Sequence, residues 1–288
     1  SSVSPDGYVK ARAGGLTNTL RLKHRELVNL PGVDKLYGKD IRGCLLAPEG
    51  YVLCGSDQCA LEDRTKQHYM WDYDPDYVKD MMQEGYCPHV DIAVQAGFLT
   101  KEQEDRHKEG NFTDKADEKV IKAGRKRAKP VNYGGVYGQK PKGLAQSSGM
   151  PLPQAQKLYD IYWERNWSVI AIADACEVKT VNGQMWLKNP VSGFWYSLRN
   201  DKDRFSTLNQ GTGVYCFDMW VKGMRERGLV PIGQMHDEVI LKVKNSEKDK
   251  QYTTAMLKES VQEVNDVLKL NRNLDCDVAF GDSYADIH

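Results

Sequence analysis

Alternating apolar runs stand near the two ends of this chain, and that placement constrains the fold more than any other feature. A first strand is expected over Tyr51-Val-Leu-Cys-Gly-Ser-Asp57, entered through the turn Pro48-Glu-Gly50. Two more are expected over Pro231-Ile-Gly-Gln-Met235 and Val239-Ile-Leu-Lys-Val243, flanking His236-Asp237-Glu238, and a last one over residues 274–280. Between them, residues 60–149 read as mostly helical and highly charged. Further helices are expected over residues 151–163, where Leu158, Ile161 and Tyr162 are spaced for a core face, over residues 212–224, and around Leu257, Val261, Val264 and Leu268. A hairpin is expected to run from Thr180-Val-Asn-Gly-Gln-Met-Trp-Leu187 through a Pro-Val-Ser-Gly turn to Phe194-Trp-Tyr-Ser-Leu198. Strands at both ends around a helical middle predict an α+β domain with a helical insertion.

Composition narrows the function classes. The 288 residues suffice for one large domain or two smaller ones. Forty Lys and Arg balance forty Asp and Glu. Zero net charge argues against a uniformly basic DNA-coating protein but leaves room for a local basic groove. No run of about 18 apolar residues is present, so no membrane span is expected. The opening SSVSPDGYVK has no apolar signal core and no initiator Met, so the chain is read as processed or as part of something longer. Seven scattered cysteines without a C-x-x-C pair disfavour a zinc site or disulfide framework and fit a reduced, intracellular compartment.

Three stretches carry candidate chemistry. Asp57 ends a hydrophobic strand, and Asp237 sits between two short apolar strands. If those strands are neighbours, two carboxylates converge, and they repel unless cations neutralise them. A pair of Mg²⁺ ions about 3.5–4 Å apart would do so while clamping the oxygens of a phosphoryl transfer. Taken singly, each aspartate reads as a turn or surface acid. The third stretch, residues 119–129, carries Lys119, Lys122, Arg125, Lys126, Arg127 and Lys129 and no acid. The bland reading is a solvated helix face. The sharper one uses the four-residue spacing of Arg125, Lys129, Tyr133 and Tyr137, which puts them on one helical face. Arg125 and Lys129 would hold nucleotide phosphates, Tyr133 would pack on sugar and base, and Tyr137 would sit under the templating pair. Aromatic stacking on a base is worth about 1–3 kcal/mol. Pro130 interrupts this stretch at a cost of about 3 kcal/mol, and Gly134 and Gly135 cost about 1 kcal/mol each. The helix is therefore expected to be kinked or marginally stable until a nucleotide orders it.

Together the three stretches resemble a family. Asp57-Gln-Cys-Ala-Leu-Glu62-Asp-Arg64 resembles motif A of the DNA polymerase I family (family A). Arg125-x-x-x-Lys129-x-x-x-Tyr133-x-x-x-Tyr137-Gly138 resembles its motif B, the helix of the fingers, and His236-Asp237-Glu238 resembles its motif C. Leu30-Pro-Gly-Val-Asp-Lys-Leu-Tyr-Gly38 is similar to the segment before motif A in the phage-type branch. Asn209-Gln210-Gly-Thr212 is similar to the helix start before motif C, and Gly281-Asp-Ser-Tyr-Ala-Asp-Ile-His288 to the family's C-terminal end. The resemblance covers nearly the whole chain. It implies an α+β architecture: an antiparallel-sheet palm (residues 1–64 and 206–288) with a large helical fingers insertion (residues 65–205), a right-hand polymerase lacking thumb and exonuclease domain. It implies a template-directed DNA polymerase acting on primer–template DNA and dNTPs. The chain would be a fragment or subunit of a split phage-type enzyme in an infected host, with thumb or exonuclease on a separate polypeptide.

The resemblance also assigns residues. Asp57 and Asp237 would bind two Mg²⁺ ions, with the Gln58 carbonyl as a further ligand. Lys129 would neutralise developing charge, and Arg125 and His89 would touch the β- and γ-phosphates. Glu62 would be a steric gate that excludes a ribose 2′-hydroxyl. Tyr133, where the family carries Phe or Tyr, implies weak discrimination against dideoxynucleotides. Gln210, His236, Arg64 and Glu238 would contact DNA, joined by Arg12 or Arg21. Two positions depart from the family pattern: Cys59 replaces a common Ser, and Asp63, expected to face solvent, replaces the usual Leu. The rival readings are a non-catalytic polymerase-like DNA-binding module, a reverse transcriptase, and a metal nuclease that would leave the tyrosine face unexplained.

Overall fold

The computed structural model describes residues 3–27, 29–136 and 138–288, with nothing beyond the backbone at Tyr133. The chain opens with β1 (Ala13–Leu16), β2 (Leu22–His24), α1 (Gly38–Gly43) and β3 (Tyr51–Gln58). Eight helices follow: α2 (Leu61–Met70), α3 (Pro75–Met81), α4 (Pro88–Gln95), α5 (Lys101–Glu109), α6 (Lys115–Gly135), α7 (Pro141–Ser148), α8 (Leu152–Arg165) and α9 (Trp167–Ala175). Then come β4 (Val178–Val181), β5 (Gln184–Lys188), β6 (Trp195–Leu198), α10 (Arg204–Glu226), β7 (Pro231–Met235), β8 (Glu238–Lys244), α11 (Glu247–Leu268) and β9 (Cys276–Gly281). The chain divides into two compact units. One comprises Ser1–His68, Lys188–Ser197 and Asn209–His288; the other comprises Tyr69–Leu187 and Leu198–Leu208.

The first unit is organised by an antiparallel sheet of strand order β7-β8-β3-β9. Successive strand residues face opposite sides. On one side Val52 and Cys54 of β3 enter a core with Phe217, Trp220 and Met224 of α10 and Leu257, Val261 and Val264 of α11. Burying a side chain of this size contributes about 1.5–3 kcal/mol. The Trp220 indole, fully buried, donates to the Leu257 carbonyl at 3.1 Å, so its polar edge is satisfied. On the other side Leu53 joins Ile240, Tyr284 and Ile287 in a smaller cluster. Gly55 shares that side, and a Cβ there would lie 2.8 Å from Ile287 Cδ1. Its missing side chain is what lets residues 284–288 lie flat on the sheet.

The second unit is mainly helical. Val90, Ile92 and Ala93 of α4, Ile121, Ala128 and Val131 of α6, and Leu158 and Tyr162 of α8 share one core. The buried positions on α6 are Ile121, Gly124, Ala128, Val131 and Gly135, a three-and-four spacing that defines its inner face. Asp114 caps this helix, accepting from the amides of Ala116 at 2.7 Å and Asp117 at 2.8 Å. A second cluster gathers Tyr77, Val78, Val169, Ile172, Leu187, Leu198 and Phe205.

The α6 helix runs as one element from Lys115 through Pro130 to Gly135, and some expected element bounds are corrected. Pro130 removes the hydrogen bond to the Lys126 carbonyl, but Lys126 is exposed, where water can replace it. Gly135 is not a weak point either: a Cβ there would lie 2.5 Å from Tyr162 Cε1, so its smallness brings α6 against α8. The apolar run 180–187 is not one strand. Asn182 and Gly183, at φ +50° and +75°, fold it into the β4–β5 hairpin, the backbone this dipeptide favours. The helix expected at residues 212–224 begins eight residues earlier, because its first turns bury polar residues, Thr207 and Asn209 among them. The last strand begins at Cys276 and not at residue 274, because the Leu274 amide is taken by the Asn265 side chain at 2.7 Å.

Gly55→Val should lower stability by about 1–3 kcal/mol through overpacking against Ile287, and Ile287→Ala should restore part of it. Urea unfolding of both variants checks this; an unchanged midpoint in Gly55→Val would contradict the contact.

Candidate active site

The register of the first unit's sheet creates a row of acids. Asp57 of β3 stands directly opposite Glu238 of β8 and opposite Asp277 of β9. Directly opposed residues in an antiparallel ladder share a face, with Cβ atoms about 4.5–5.5 Å apart. Asp237 adds a fourth carboxylate from the two-residue loop closed by the Met235–Glu238 pair. That loop is held to β3, since the Gln58 amide donates to the Asp237 carbonyl at 3.1 Å. His236, the other loop residue, has φ +59°, a left-handed conformation that costs a non-glycine residue about 1–3 kcal/mol and is concentrated at functional sites.

Electrostatics follow from this packing. Asp57 is exposed as a residue, yet the packing around its carboxyl desolvates it and, with repulsion from Asp237, Glu238 and Asp277 and with His288 opposing, pushes it up to about 7. Glu238 is only 7 % exposed. It accepts from the Tyr284 hydroxyl at 2.9 Å and meets His288 Nε2 at 3.1 Å, while the Arg42 guanidinium lies 4.8 Å from the Tyr284 ring centre. All of these border a cavity of about 360 Å³. The Gln58 side chain points the opposite way, buried with neither amide atom hydrogen-bonded.

A second, smaller cleft gathers Arg21, Glu62, Gln210, His236 and Asp237. Arg21 Nη1 lies 3.8 Å from Glu62 Oε1, a partly exposed pair worth about 0–1 kcal/mol by itself. His24 meets His236 edge-on at 5.7 Å between ring centres. Burial lowers the proton affinity of both imidazoles, and the Arg21 charge lowers it further. Arg64 is not part of this group: its Nη1 donates to the Asn273 carbonyl at 2.5 Å. Arg12 is paired with Glu26 at 3.6 Å, so of the two N-terminal arginines only Arg21 reaches the cleft. Asp63 is exposed.

The second unit holds a separate cluster. Arg125 and Lys129 lie on α6 off its buried face, and His89 occupies the first turn of α4. Arg125 Nε donates to Cys87 Sγ at 3.3 Å, and Asn132 Nδ2 donates to the Pro88 carbonyl at 3.3 Å, so the two helices meet here. His89 is pushed down to about 4, first by burial and then by the charges of Arg125 and Lys129. It is a neutral imidazole at neutral pH beside two cations. A half-buried network steadies α4: Asp91 accepts from Tyr86 at 2.8 Å and faces Arg165 at 3.5 Å, whose guanidinium lies 3.3 Å from the Tyr77 ring centre. The backbone of Tyr133 continues α6 on the same face, and Tyr137 lies outside the described residues.

The acidic row contains residues that sequence reasoning missed. Asp277, Tyr284, His288 and Arg42 were not singled out. Asp277 had a signal: it is the one charged residue within an otherwise small and apolar strand. Its partner becomes visible only through the register.

The acidic row suits a hard divalent cation. Among the described residues no group of three or more His, Cys, Asp or Glu forms a metal cage. Mg²⁺ does not need one, because it uses one or two carboxylates together with substrate phosphates and water. Without a cation the row is destabilising. Asp57 binds its proton more tightly in the folded state than its ordinary value of 3.8. The stability this contributes is complete below that value and is lost as pH rises through about 7. Melting in metal-free buffer should show wild type losing stability between pH 5 and 8, with Asp57→Asn losing less. Parallel curves would contradict the assigned repulsion.

The chain matches the model of DNA polymerase family A over residues 10–185. It is similar to DNA polymerase I of Pseudomonas aeruginosa, 26% identical over 253 residues, covering 81% of this chain and 25% of that protein. It is similar to the thermostable DNA polymerase I of Thermus aquaticus, 24% identical over 282 residues, covering 93% of this chain and 31% of that protein. The chain thus spans between a quarter and a third of the length of these relatives. Its fold is similar to the POL domain of Pol1 from M. smegmatis, solved in complex with DNA primer–template and dNTP. That likeness has a TM-score of 0.71 at 20% identity and covers 100% of this chain and 50% of that one.

Proposed function

The chain belongs to DNA polymerase family A, and from that premise we propose that it adds nucleotides from dNTPs to a primer 3′-hydroxyl under template direction. The observation that carries this reading is the convergence of Asp57, near the end of β3, and Asp237, in the β7–β8 loop held to that strand, where desolvation and then the surrounding acids raise the Asp57 carboxyl to about 7. Such a site has a need for cations that a binding module would not have. In this reading the first unit is the palm and the second the fingers, of the phage-type branch that residues 30–38 resemble.

Asp57 and Asp237 would hold two Mg²⁺ ions. When bound, such a pair lowers the proton affinity of an attacking hydroxyl and offsets charge on the triphosphate oxygens. Arg125 and Lys129 bind the triphosphate, with His89 donating a hydrogen bond as a neutral imidazole. Lys129 holds a proton where the leaving pyrophosphate can take it. Glu62, held by Arg21, closes the space a 2′-hydroxyl needs. Gln210 and His236 touch the primer end through shape and not sequence, as a polymerase that copies any sequence requires.

Primer extension with Mg²⁺ and dNTPs tests the reading. Asp237→Ala should lose activity on the order of 10³-fold or more while remaining folded. A folded wild type that extends nothing would mean that catalysis needs parts beyond these two units. Glu62→Ala should incorporate ribonucleotides relative to deoxynucleotides more readily than wild type; an unchanged ratio would remove Glu62 from the gate. Tyr133→Phe should restore discrimination against dideoxynucleotides, and identical incorporation ratios in both proteins would sink that assignment.

A further inference from the structure

The polymerase reading uses Arg125 and Lys129 and leaves Lys119, Lys122, Lys126 and Arg127 of the same run unexplained. Lys122 is paired with Glu118 at 2.6 Å. Lys126 and Arg127 are exposed, and among the described residues neither forms an ion pair. They lie about 100° and 200° around α6 from Arg125, so they cannot share its face. Both border a cleft of about 740 Å³ walled by α6, the end of α7 and the start of α8, and Lys129 lines its edge as well. Ser147 and Ser148 line it opposite them, and no acidic side chain does. The Arg127 guanidinium lies 5.7 Å from the Phe98 ring centre, which limits the positions it can take. The serine hydroxyls are engaged by the helix itself, Ser148 Oγ donating to the Leu144 carbonyl at 2.6 Å. The charge available to a ligand is therefore that of the cations.

We propose that this cleft is a second nucleic-acid site, holding the phosphates of a single strand through Lys126 and Arg127. Its size admits a ligand at least as large as a nucleotide. It offers positive charge without an enclosing ring of donors. That arrangement fits a phosphodiester chain of any sequence better than a small free oligophosphate, which needs convergent donors to be held. The inference rests on the polymerase reading for the source of the strand, an unpaired template.

The test is the binding of a fluorescent single-stranded oligonucleotide to the full chain, followed by anisotropy over a salt series. The Lys126→Gln/Arg127→Gln double variant should bind several-fold more weakly. The slope of log affinity against log salt should flatten by about 1.4, the share of two phosphate contacts. Ser147→Asp, which leaves both cations in place, should also weaken binding. Melting curves matching wild type establish that the variants are folded. Tripolyphosphate at an equal phosphate concentration should not displace the strand. Folded variants with unchanged affinity and slope would overturn the site. Displacement by tripolyphosphate would overturn the strand as its ligand. Because binding is read without catalysis, a chain that fails to extend primers yet shows these losses would assign catalysis to parts beyond these two units and keep the cleft.

Discussion

Like-charge repulsion along one row of the sheet is the constraint on which the first unit depends. The register that pairs Asp57 with both Glu238 and Asp277 is the same register that buries Val52 and Cys54 on the opposite face. A one-residue slip would separate the acids, but it would also turn the core face to solvent. The hydrophobic side of β3 thus maintains an electrostatic arrangement that the acids alone would not adopt. Tyr284 and His288 ease it at one point by satisfying Glu238. Asp57 is left facing Asp237, Glu238 and Asp277, a repulsion that a cation would relieve.

The second unit solves a different problem. It must keep cations together near a histidine without exposing the core of a long helix. Its α6 does so by assigning faces: small and apolar residues inward, Arg125 and Lys129 to one outer stripe, Lys126 and Arg127 to the rest. Cations on one helix surface repel, and the burial of Ile121, Ala128 and Val131 outweighs that cost.

Much of this was legible in the sequence, and the misses have physical causes. The central strands were visible because period-two alternation was intact, and the spacing of Arg125 and Lys129 correctly placed both on α6. Asn182-Gly183 was read through as strand, although the pair is itself a hairpin signal. Gly135 of α6 was read as a weak helix former; its role depends on Tyr162, a neighbour that no local pattern reveals. Asp277 and His288 escaped notice because what matters about them is which strand they face. Pairings between residues more than 200 positions apart leave no trace in local periodicity.

The position of β3 has a consequence for how the molecule forms. Its partners, β8 and β9, are synthesised about 180 and 220 residues after it. Most of the second unit, Tyr69–Leu187, is nearly contiguous and emerges in between. During synthesis the helical unit can fold while β3 waits with both edges bare, since domains generally fold as units in order of emergence. Closing so distant a pairing is slow, because the loop entropy must be overcome before the contacts form. The strand that carries Asp57 is accordingly the one that stays longest open to wrong partners.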